Sequence, residues 1–194
     1  RIFDVVEKDC GQYDTVTEVM WVTGAALFIR LADYREVGGL DDHFFAHMEE
    51  IDLCWRLRSR GKKLVCIPQS VVYHVGGATL KKENPRKTFL NFRNNLLMLY
   101  KNLPDKELEH VLFIRGILDR VAALVFYLKK DRANARAVMQ ARREFEDIRY
   151  SFAASRIENM MKSTDEIIPE RTHFSIVMKY YLLGKKHFSQ LKLF

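Results

Sequence analysis

The sequence changes character after Gly76 and Gly77. Before this point, short apolar segments alternate with short helix-like segments, and glycines separate many of them. After it, residues 106–162 are highly charged and contain no proline and a single glycine. Alternating strands and helices are typical of a layered α/β region, whereas a long segment without proline favours packed helices. The sequence therefore predicts an α/β region over residues 1–102 and a basic helical region over residues 103–194.

Each region contains several predicted elements. The first has strands over 19–30, 64–67 and 71–75 and helices over 31–37, 49–60 and 86–102, and the second has two or three helices over 106–162. The helix over 49–60 has acidic residues in its first turn, basic residues in its last turn and Gly61 just beyond. This arrangement complements the helix dipole and marks where the helix ends.

Composition excludes several classes of protein. In 194 residues, 48% are hydrophobic and 29% charged, which fits a soluble globular protein rather than a disordered chain. The three cysteines are odd in number and widely spaced, so a disulfide scaffold and a cysteine zinc site are not expected. This cysteine pattern favours a cytoplasmic location. The most apolar stretch, 111–128, contains Arg115, Asp119 and Arg120, which argues against a membrane span.

One carboxylate in the helix over 49–60 has the position of a general base. On a helix, Glu50, Cys54 and Leu57 form one column that is apolar except at Glu50. The helix dipole favours the ionised carboxylate there, while partial burial raises its pKa, and this combination suits a base. The alternative is that Glu50 and its acidic neighbours only cap the start of a helix.

Asp52 and Arg56 are four residues apart on the same predicted helix, with the acid first. This spacing favours a structural ion pair. Glu50 and Asp52 diverge on a helix, so they are not expected to bind one metal ion together.

Several short motifs occur together in a fixed order. They are Gly24-Ala25, Gly38-Gly39-Leu40-Asp41-Asp42-x-Phe44-Phe45, Glu49-Glu50-Ile51-Asp52-Leu53-Cys54-Trp55-Arg56 with Gly61, and Pro68 with His74-x-Gly76-Gly77. In this order and spacing, residues 1–102 resemble the C-terminal, acceptor-side half of a family 2 glycosyltransferase of the GT-A fold. The bacterial rhamnosyltransferase-like members are particularly similar. Residues 103–194 resemble the helical extensions of such enzymes, though less specifically.

The resemblance implies an inverting transfer of a sugar from a nucleotide-sugar donor to a saccharide or lipid-linked acceptor. Enzymes of this kind act in surface polysaccharide or cell-wall synthesis. The second acid of the family's usual Glu-Asp pair is the general base, and Glu50 occupies that position here. The base takes a proton from an acceptor hydroxyl, which then attacks the anomeric carbon of the donor. Glutamate in place of aspartate lengthens the reach of this base by one methylene group.

The resemblance also implies a set of residues around the donor and acceptor cleft. They are Trp21, Gly24, Ala25, Asp41, Asp42, Glu49, Asp52 and Arg93. Small residues at 24 and 25 would let a ligand approach the backbone. Asp41 and Asp42 also suit turn formation and capping. Arg93 is interpreted either as a clamp on the diphosphate or as a surface arginine of an amphipathic helix.

His74 matches a histidine that joins a metal site in some relatives, together with an upstream D-x-D motif. The resemblance thus implies Mn²⁺ or Mg²⁺ in the full-length enzyme, where the ion neutralises the leaving diphosphate. Without the resemblance, a single histidine at a strand end is an ordinary hydrogen-bonding group. The residues before Trp21 do not supply the D-x-D motif with its strand, which predicts that this chain is a fragment and inactive alone.

The positive charge is concentrated in the second region. Residues 1–100 hold 14 Lys/Arg and 13 Asp/Glu, whereas residues 101–194 hold 18 and 12. An amphipathic face over 111–125 therefore has two interpretations, peripheral contact with the inner face of the cytoplasmic membrane or packing against the catalytic region.

Two functions without catalysis also stay open. One is a basic module that binds membrane or nucleic acid. However, no helix-turn-helix, RRM or zinc-finger motif is present, so no nucleic-acid partner is expected. The other is a scaffold whose parent protein has lost activity. An upstream sequence without a D-x-D motif would favour the scaffold.

Overall fold

The computed structural model describes residues 5–75, 84–164, 168–172 and 174–191. These residues form seven α-helices and one two-stranded sheet. The helices are α1 (Leu31–Glu36), α2 (Glu49–Ser59), α3 (Pro85–Asn102), α4 (Asp105–Leu128), α5 (Arg132–Ile148), α6 (Ala153–Met161) and α7 (Ile176–Tyr181). The strands are β1 (Thr17–Glu18) and β2 (Val65–Cys66), and short 3₁₀ turns cover Gly24–Ala26, Asp42–Phe44, Arg149–Phe152 and Phe188–Leu191.

The predicted helices are confirmed, and local sequence signals explain their ends. At the start of α3, the Asn84 side chain accepts a hydrogen bond from the backbone N–H of Arg86 at 2.9 Å, and Pro85 occupies the first helical position. At the start of α5, Asp131 accepts from the backbone N–H of Asn134 at 3.1 Å. Gly61, with φ of 74°, ends α2 in the left-handed conformation that glycine adopts most easily. The helical segment 106–162 contains three helices, α4 to α6.

Two of the three predicted strands are wrong. Residues 19–30 contain a 3₁₀ turn at Gly24–Ala26 and are otherwise irregular, and residues 71–75 form no strand. Within 64–67, β2 is confirmed and pairs antiparallel with β1, with Thr17 opposite Cys66. Strand propensity produces a strand only beside a partner strand, and the described residues provide a single such pair. The α/β prediction is therefore confirmed only in part, since helices dominate the chain.

A small apolar cluster lies under the inner face of α2. Leu53, Cys54 and Leu57 are buried there against Val37 and Leu64. This is the column that the helical spacing predicts, with Glu50 at its N-terminal end.

A larger apolar cluster joins both parts of the sequence. It contains Phe44 and Trp55 from the first region and Leu112, Phe145 and Ile168 from the second. The division at residue 102 stays a prediction from sequence, and the structure shows one apolar core on both sides of it.

Candidate functional site

The loop before α2 has an unusual backbone. Phe45, His47 and Met48 have φ values of 60°, 70° and 74°. Residues other than glycine rarely adopt this left-handed backbone conformation. Each such residue lowers the stability of the fold by on the order of 1 kcal/mol or more. A backbone of this kind persists only where surrounding contacts hold it. The loop therefore has a defined shape directly before Glu49 and Glu50.

Asn94 of α3 holds this loop. Its side chain is fully buried, and its Nδ2 lies 2.8 Å from the Phe44 carbonyl oxygen, 2.9 Å from that of Ala46 and 2.8 Å from that of His47. One buried amide thus satisfies loop carbonyls that no secondary structure satisfies. The sequence motifs predict no role for Asn94, which follows Arg93 in the chain. Its position next to an arginine on an amphipathic helix is the available signal.

Arg93 supports the same loop from beside Asn94. Its Nη2 donates to the His43 carbonyl oxygen at 2.9 Å, its Nη1 to Glu144 Oε1 at 2.7 Å and its Nε to Asn94 Oδ1 at 3.0 Å. The side chain is only 13% exposed. These contacts support a structural role for Arg93, and the diphosphate clamp stays a prediction.

Glu50 has a carboxylate oxygen available for a proton. Its Oε2 is buried and has no hydrogen-bond partner within the described part of the chain. Burial raises the pKa of Glu50 above its ordinary value of 4.5; a backbone N–H opposes this change, and the charge of Glu49 adds to it. Unsatisfied buried carboxylate oxygens are rare in folded proteins and often mark a catalytic or binding role.

Two neighbours of Glu50 share this property. Glu49 Oε2 and His47 Nε2 are also buried and lack a hydrogen-bond partner among the residues that the structure describes. Burial, followed by the nearby charge of Lys87, lowers the pKa of His47, and Glu49 opposes this change. The sequence motifs predict no role for His47, although its place two residues before Glu49 is a signal. Three buried polar atoms within residues 47–50 therefore lack a hydrogen-bond partner in the described part of the chain.

The 3₁₀ turn Gly24–Ala26 lies beside this group. A Cβ atom built on Gly24 would lie 3.7 Å from the Cβ of Glu50, an ordinary contact distance. Thr23 caps the turn by accepting from the Ala25 N–H at 3.4 Å. The structure therefore brings the Gly24-Ala25 segment together with Glu50.

Asp52 lies in a buried ion-pair network instead. It is fully buried, and its Oδ2 lies 2.8 Å from Arg56 Nη2 and 2.9 Å from Lys101 Nζ, while its Oδ1 accepts from Asn102 at 2.7 Å. Lys101 Nζ also pairs with Asp41 Oδ2 at 2.7 Å. The predicted Asp52–Arg56 pair is confirmed. The network balances two acids with two bases, as buried charges require.

Asp41 and Asp42 occupy the turn between α1 and α2. Asp41 Oδ1 accepts from the His43 backbone N–H at 3.1 Å and so caps the 3₁₀ turn. Burial alone would raise the pKa of Asp41, but the Lys101 ammonium and the His43 hydrogen bonds lower it overall. Asp42 is exposed. These contacts support the turn-forming role, and direct contact with an acceptor stays a prediction.

Trp21 lines an open groove between the irregular segment 19–30 and residues 62–72. The groove has a volume of about 640 Å³, and Trp21 is 47% exposed. Aromatic rings exposed in a groove suit stacking on sugar rings.

His74 lies in an exposed segment without regular secondary structure, and within the described ranges no hydrogen bond or ion pair joins it to Glu50. Gly76 and Gly77 of the same motif lie outside the described residues. The described residues contain no group of three or more His, Cys, Asp or Glu side chains that could hold a metal ion. They do not supply a complete metal site, so His74 as a ligand stays a prediction.

Similar proteins carry glycosyltransferase names. The pre-mycofactocin glycosyltransferase of Mycobacterium tuberculosis is 31% identical over 141 residues, which cover 67% of this chain and 29% of that protein. The N-acetylglucosaminyl-diphospho-decaprenol L-rhamnosyltransferase of the same organism is 38% identical over 56 residues, or 29% of this chain and 18% of that protein. The chain is a homologue of bacterial glycosyltransferases.

A third relative supports the same conclusion. Rhamnosyltransferase WbbL of Escherichia coli is 33% identical over 69 residues, which cover 36% of this chain and 25% of that protein. Two rhamnosyltransferases among these homologues are consistent with the rhamnosyltransferase-like resemblance of the sequence motifs. The chain spans at most 29% of the length of these three glycosyltransferases. No family model matches the sequence, and no solved structure matches it.

Proposed function

We propose that this chain is the acceptor-side part of an inverting glycosyltransferase. The enzyme moves a sugar from a nucleotide-sugar donor to a saccharide or lipid-linked acceptor in cell-wall or surface polysaccharide synthesis. The glycosyltransferase homology supports the reaction class. One relative is named for rhamnosyl transfer and N-acetylglucosaminyl-diphospho-decaprenol, which favours a lipid-linked acceptor for this chain too. The cysteine pattern favours a cytoplasmic location.

Glu50 is the proposed general base, and the observation that carries the proposal is its buried Oε2, which has no hydrogen-bond partner among the residues that the structure describes. An acceptor hydroxyl donates its proton to this oxygen while the hydroxyl oxygen attacks the anomeric carbon of the donor. The bond from that carbon to the nucleoside diphosphate breaks, and the diphosphate leaves with the bonding electrons. Attack from the opposite side inverts the configuration. The raised pKa strengthens Glu50 as a base once it is ionised.

The residues around Glu50 position it in this proposal. The loop over 44–48 is held by Asn94 and Arg93, so the first turn of α2 has a fixed direction. A base contributes well only when it is held within hydrogen-bond reach of the proton that it takes. The Gly24-Ala25 turn lies close to Glu50 and consists of small residues. In this proposal an acceptor sugar approaches Glu50 past this turn.

Mn²⁺ or Mg²⁺ is proposed only for the complete enzyme, with His74 as one ligand. When bound, the ion neutralises charge on the leaving diphosphate. The ligands beyond His74 and the nucleotide-binding half are proposed to lie outside this chain, which alone would then transfer little sugar. The short coverage of the relatives agrees with this proposal.

The test is sugar transfer by the complete encoded polypeptide, assayed with a panel of nucleotide sugars and a lipid-linked saccharide. Replacing Glu50→Gln removes the base while keeping the size of the side chain. Transfer should fall roughly 10²- to 10⁴-fold, the usual contribution of a general base. In the wild type, the rate should decrease as the pH falls through the raised pKa of Glu50.

The matched control is Glu146→Gln, which removes an exposed carboxylate on α5 that pairs with Arg149 at 3.3 Å. This variant should transfer sugar at the wild-type rate. If Glu50→Gln retains transfer, Glu50 is not the base. If the wild type transfers no sugar from any nucleotide donor, the reaction class itself is wrong.

A further inference from the structure

Helix α4 buries one side and exposes an apolar face on the other. Its buried residues, including Leu108, Leu112 and Ala123, face the core and α5. Eight exposed apolar or aromatic side chains form what we call the α4 face: Phe113, Ile114, Ile117, Val121, Leu124, Val125, Tyr127 and Leu128. They are between 39% and 70% exposed. Single exposed apolar residues are common, but a continuous face of this size marks an interaction surface.

Bases outnumber acids near the α4 face, although Glu144 and Asp147 of α5 line a groove with Leu124 and Tyr127 of this face. The one acid in this part of α4, Asp119, is buried and paired with Arg115 and Arg142, each at 2.9 Å. The other exposed residue between 113 and 128 is Arg120, which donates to the Gly116 carbonyl oxygen at 2.9 Å. Four exposed bases follow the end of α4, and we call them the basic end: Lys129, Lys130, Arg132 and Arg136.

We propose that the α4 face and the basic end bind the surface of an anionic lipid bilayer. The helix lies in the plane of the interface, with its apolar side chains at the acyl boundary and the basic end at the anionic headgroups. Residues 113–128 extend for about 24 Å, which is long enough for stable interfacial contact. Among the described residues, no helix is both long and apolar enough to cross a membrane. The proposal rests on α4 and does not depend on Glu50.

The distribution of charge favours lipid over a second copy of this chain. An antiparallel pair of α4 faces would bring two Arg120 side chains close to the symmetry axis, because Arg120 lies near the middle of the face. A parallel pair would bring two basic ends together. Both arrangements place like charges at the contact, which disfavours association. An anionic membrane instead attracts Arg120 and the basic end.

Co-sedimentation of the full chain with vesicles tests the proposal. The chain should bind vesicles of phosphatidylcholine mixed with phosphatidylglycerol, and should bind phosphatidylcholine alone far more weakly. Added salt should weaken binding, since it screens the attraction between the basic end and the anionic headgroups. The variant Ile117→Gln/Val121→Gln/Leu124→Gln should bind at least about tenfold more weakly. The variant Lys129→Gln/Arg136→Gln should also lose roughly tenfold or more.

Two controls match these variants elsewhere on the molecule. Ile67→Gln/Val71→Gln/Val72→Gln changes three residues that are 49–70% exposed, and Lys185→Gln/Lys186→Gln removes two exposed bases near the C-terminus. Both controls should bind as the wild type does. Circular dichroism checks that each variant is folded, and the charge variant tests the proposal independently if the apolar variant unfolds.

Three results would overturn the proposal. The first is no binding of the wild type to anionic vesicles at low salt. The second is an equal loss of binding in the control variants, which would mean that the contact is not specific to α4. The third is a dimer in sedimentation velocity that the α4 triple variant abolishes, without vesicle binding, which would make the face a protein interface.

Discussion

Glu50 and Asp52 show how two carboxylates on one helix turn reach different environments. They are two residues apart, so their side chains point in diverging directions from α2. Asp52 faces α3 and has three polar partners, including Lys101 Nζ at 2.9 Å. Glu50 faces the Gly24 turn and keeps one buried oxygen without a partner among the described residues. The first arrangement stabilises the fold, and the second is the one that the proposed general base requires.

The raised pKa of Glu50 predicts how this residue affects stability. Its folded-state pKa lies above the ordinary value of 4.5, so the folded chain binds the proton more tightly than the unfolded chain. Stability therefore falls as pH rises from 4.5 through the raised value, because the carboxylate must then ionise while partly buried. Glu50→Gln removes this penalty and should raise the free energy of unfolding near neutral pH, because the partly buried charge is then absent.

Urea unfolding of both proteins at about pH 7 and about pH 4 measures this difference. The gain should be present at neutral pH and much smaller at acid pH, where Glu50 is mostly protonated in both states. An equal gain at both pH values would show that ionisation is not its cause. A less stable variant at neutral pH would contradict the prediction directly.

At the scale of elements, α3 controls the shape of the loop before α2. Three residues of this loop are left-handed, and such a backbone does not hold itself. Asn94 and Arg93 fix it from a helix that is about 50 residues later in the sequence. The direction of the Glu50 side chain thus depends on a helix, α3, that is distant from α2 in the sequence.

Asn94→Ala should loosen this loop. Removing the buried amide leaves carbonyl oxygens of the loop unsatisfied and should lower the free energy of unfolding by about 1–3 kcal/mol. Hydrogen exchange of the backbone amides over 44–50 should become faster in the folded state. The control is Asn91→Ala on the same helix, whose side chain donates to the Lys87 carbonyl oxygen at 2.9 Å and not to the loop over 44–48. Equal protection of residues 44–50 in both variants would show that Asn94 does not hold the loop.

At the scale of the whole molecule, one apolar core joins the predicted catalytic and helical regions. Phe145 of α5 is 1% exposed and packs with Tyr100 of α3, with ring centres 6.3 Å apart. Arg156 of α6 donates to the carbonyl oxygens of Tyr100 and Leu103, which ties α6 to the end of α3. The helical region is therefore part of the support of the candidate site.

Phe145→Ala should destabilise the chain as one unit. Truncation of a buried phenylalanine costs about 3–5 kcal/mol, through lost burial and the cavity that remains. Tryptophan fluorescence, which reports on Trp21 and Trp55, and far-ultraviolet circular dichroism should show coincident transitions at a lower denaturant concentration. Tyr150→Ala is the control, because Tyr150 is 67% exposed and should have little effect. Separate transitions for the two probes would show that the regions unfold independently.

Local signals in the sequence determined the helices and the face on which Glu50 lies. Caps such as Asn84 and Asp131 and the period of apolar residues in α2 act within a few residues, so they can be read without a structure. The order of the short motifs indicated the glycosyltransferase relationship in the same way.

Only the tertiary structure decided the features that depend on distant partners. The apolar segments 19–30 and 71–75 are not strands, because a strand exists only beside another strand. The partial burial of His47 and the hydrogen bonds from Asn94 to the loop are two such features. Asn94 and His47 are 47 positions apart in the sequence. The exposure of the α4 face depends on which side of that helix α5 covers. Helix periodicity shows that a face is apolar, but only packing decides whether that face is buried.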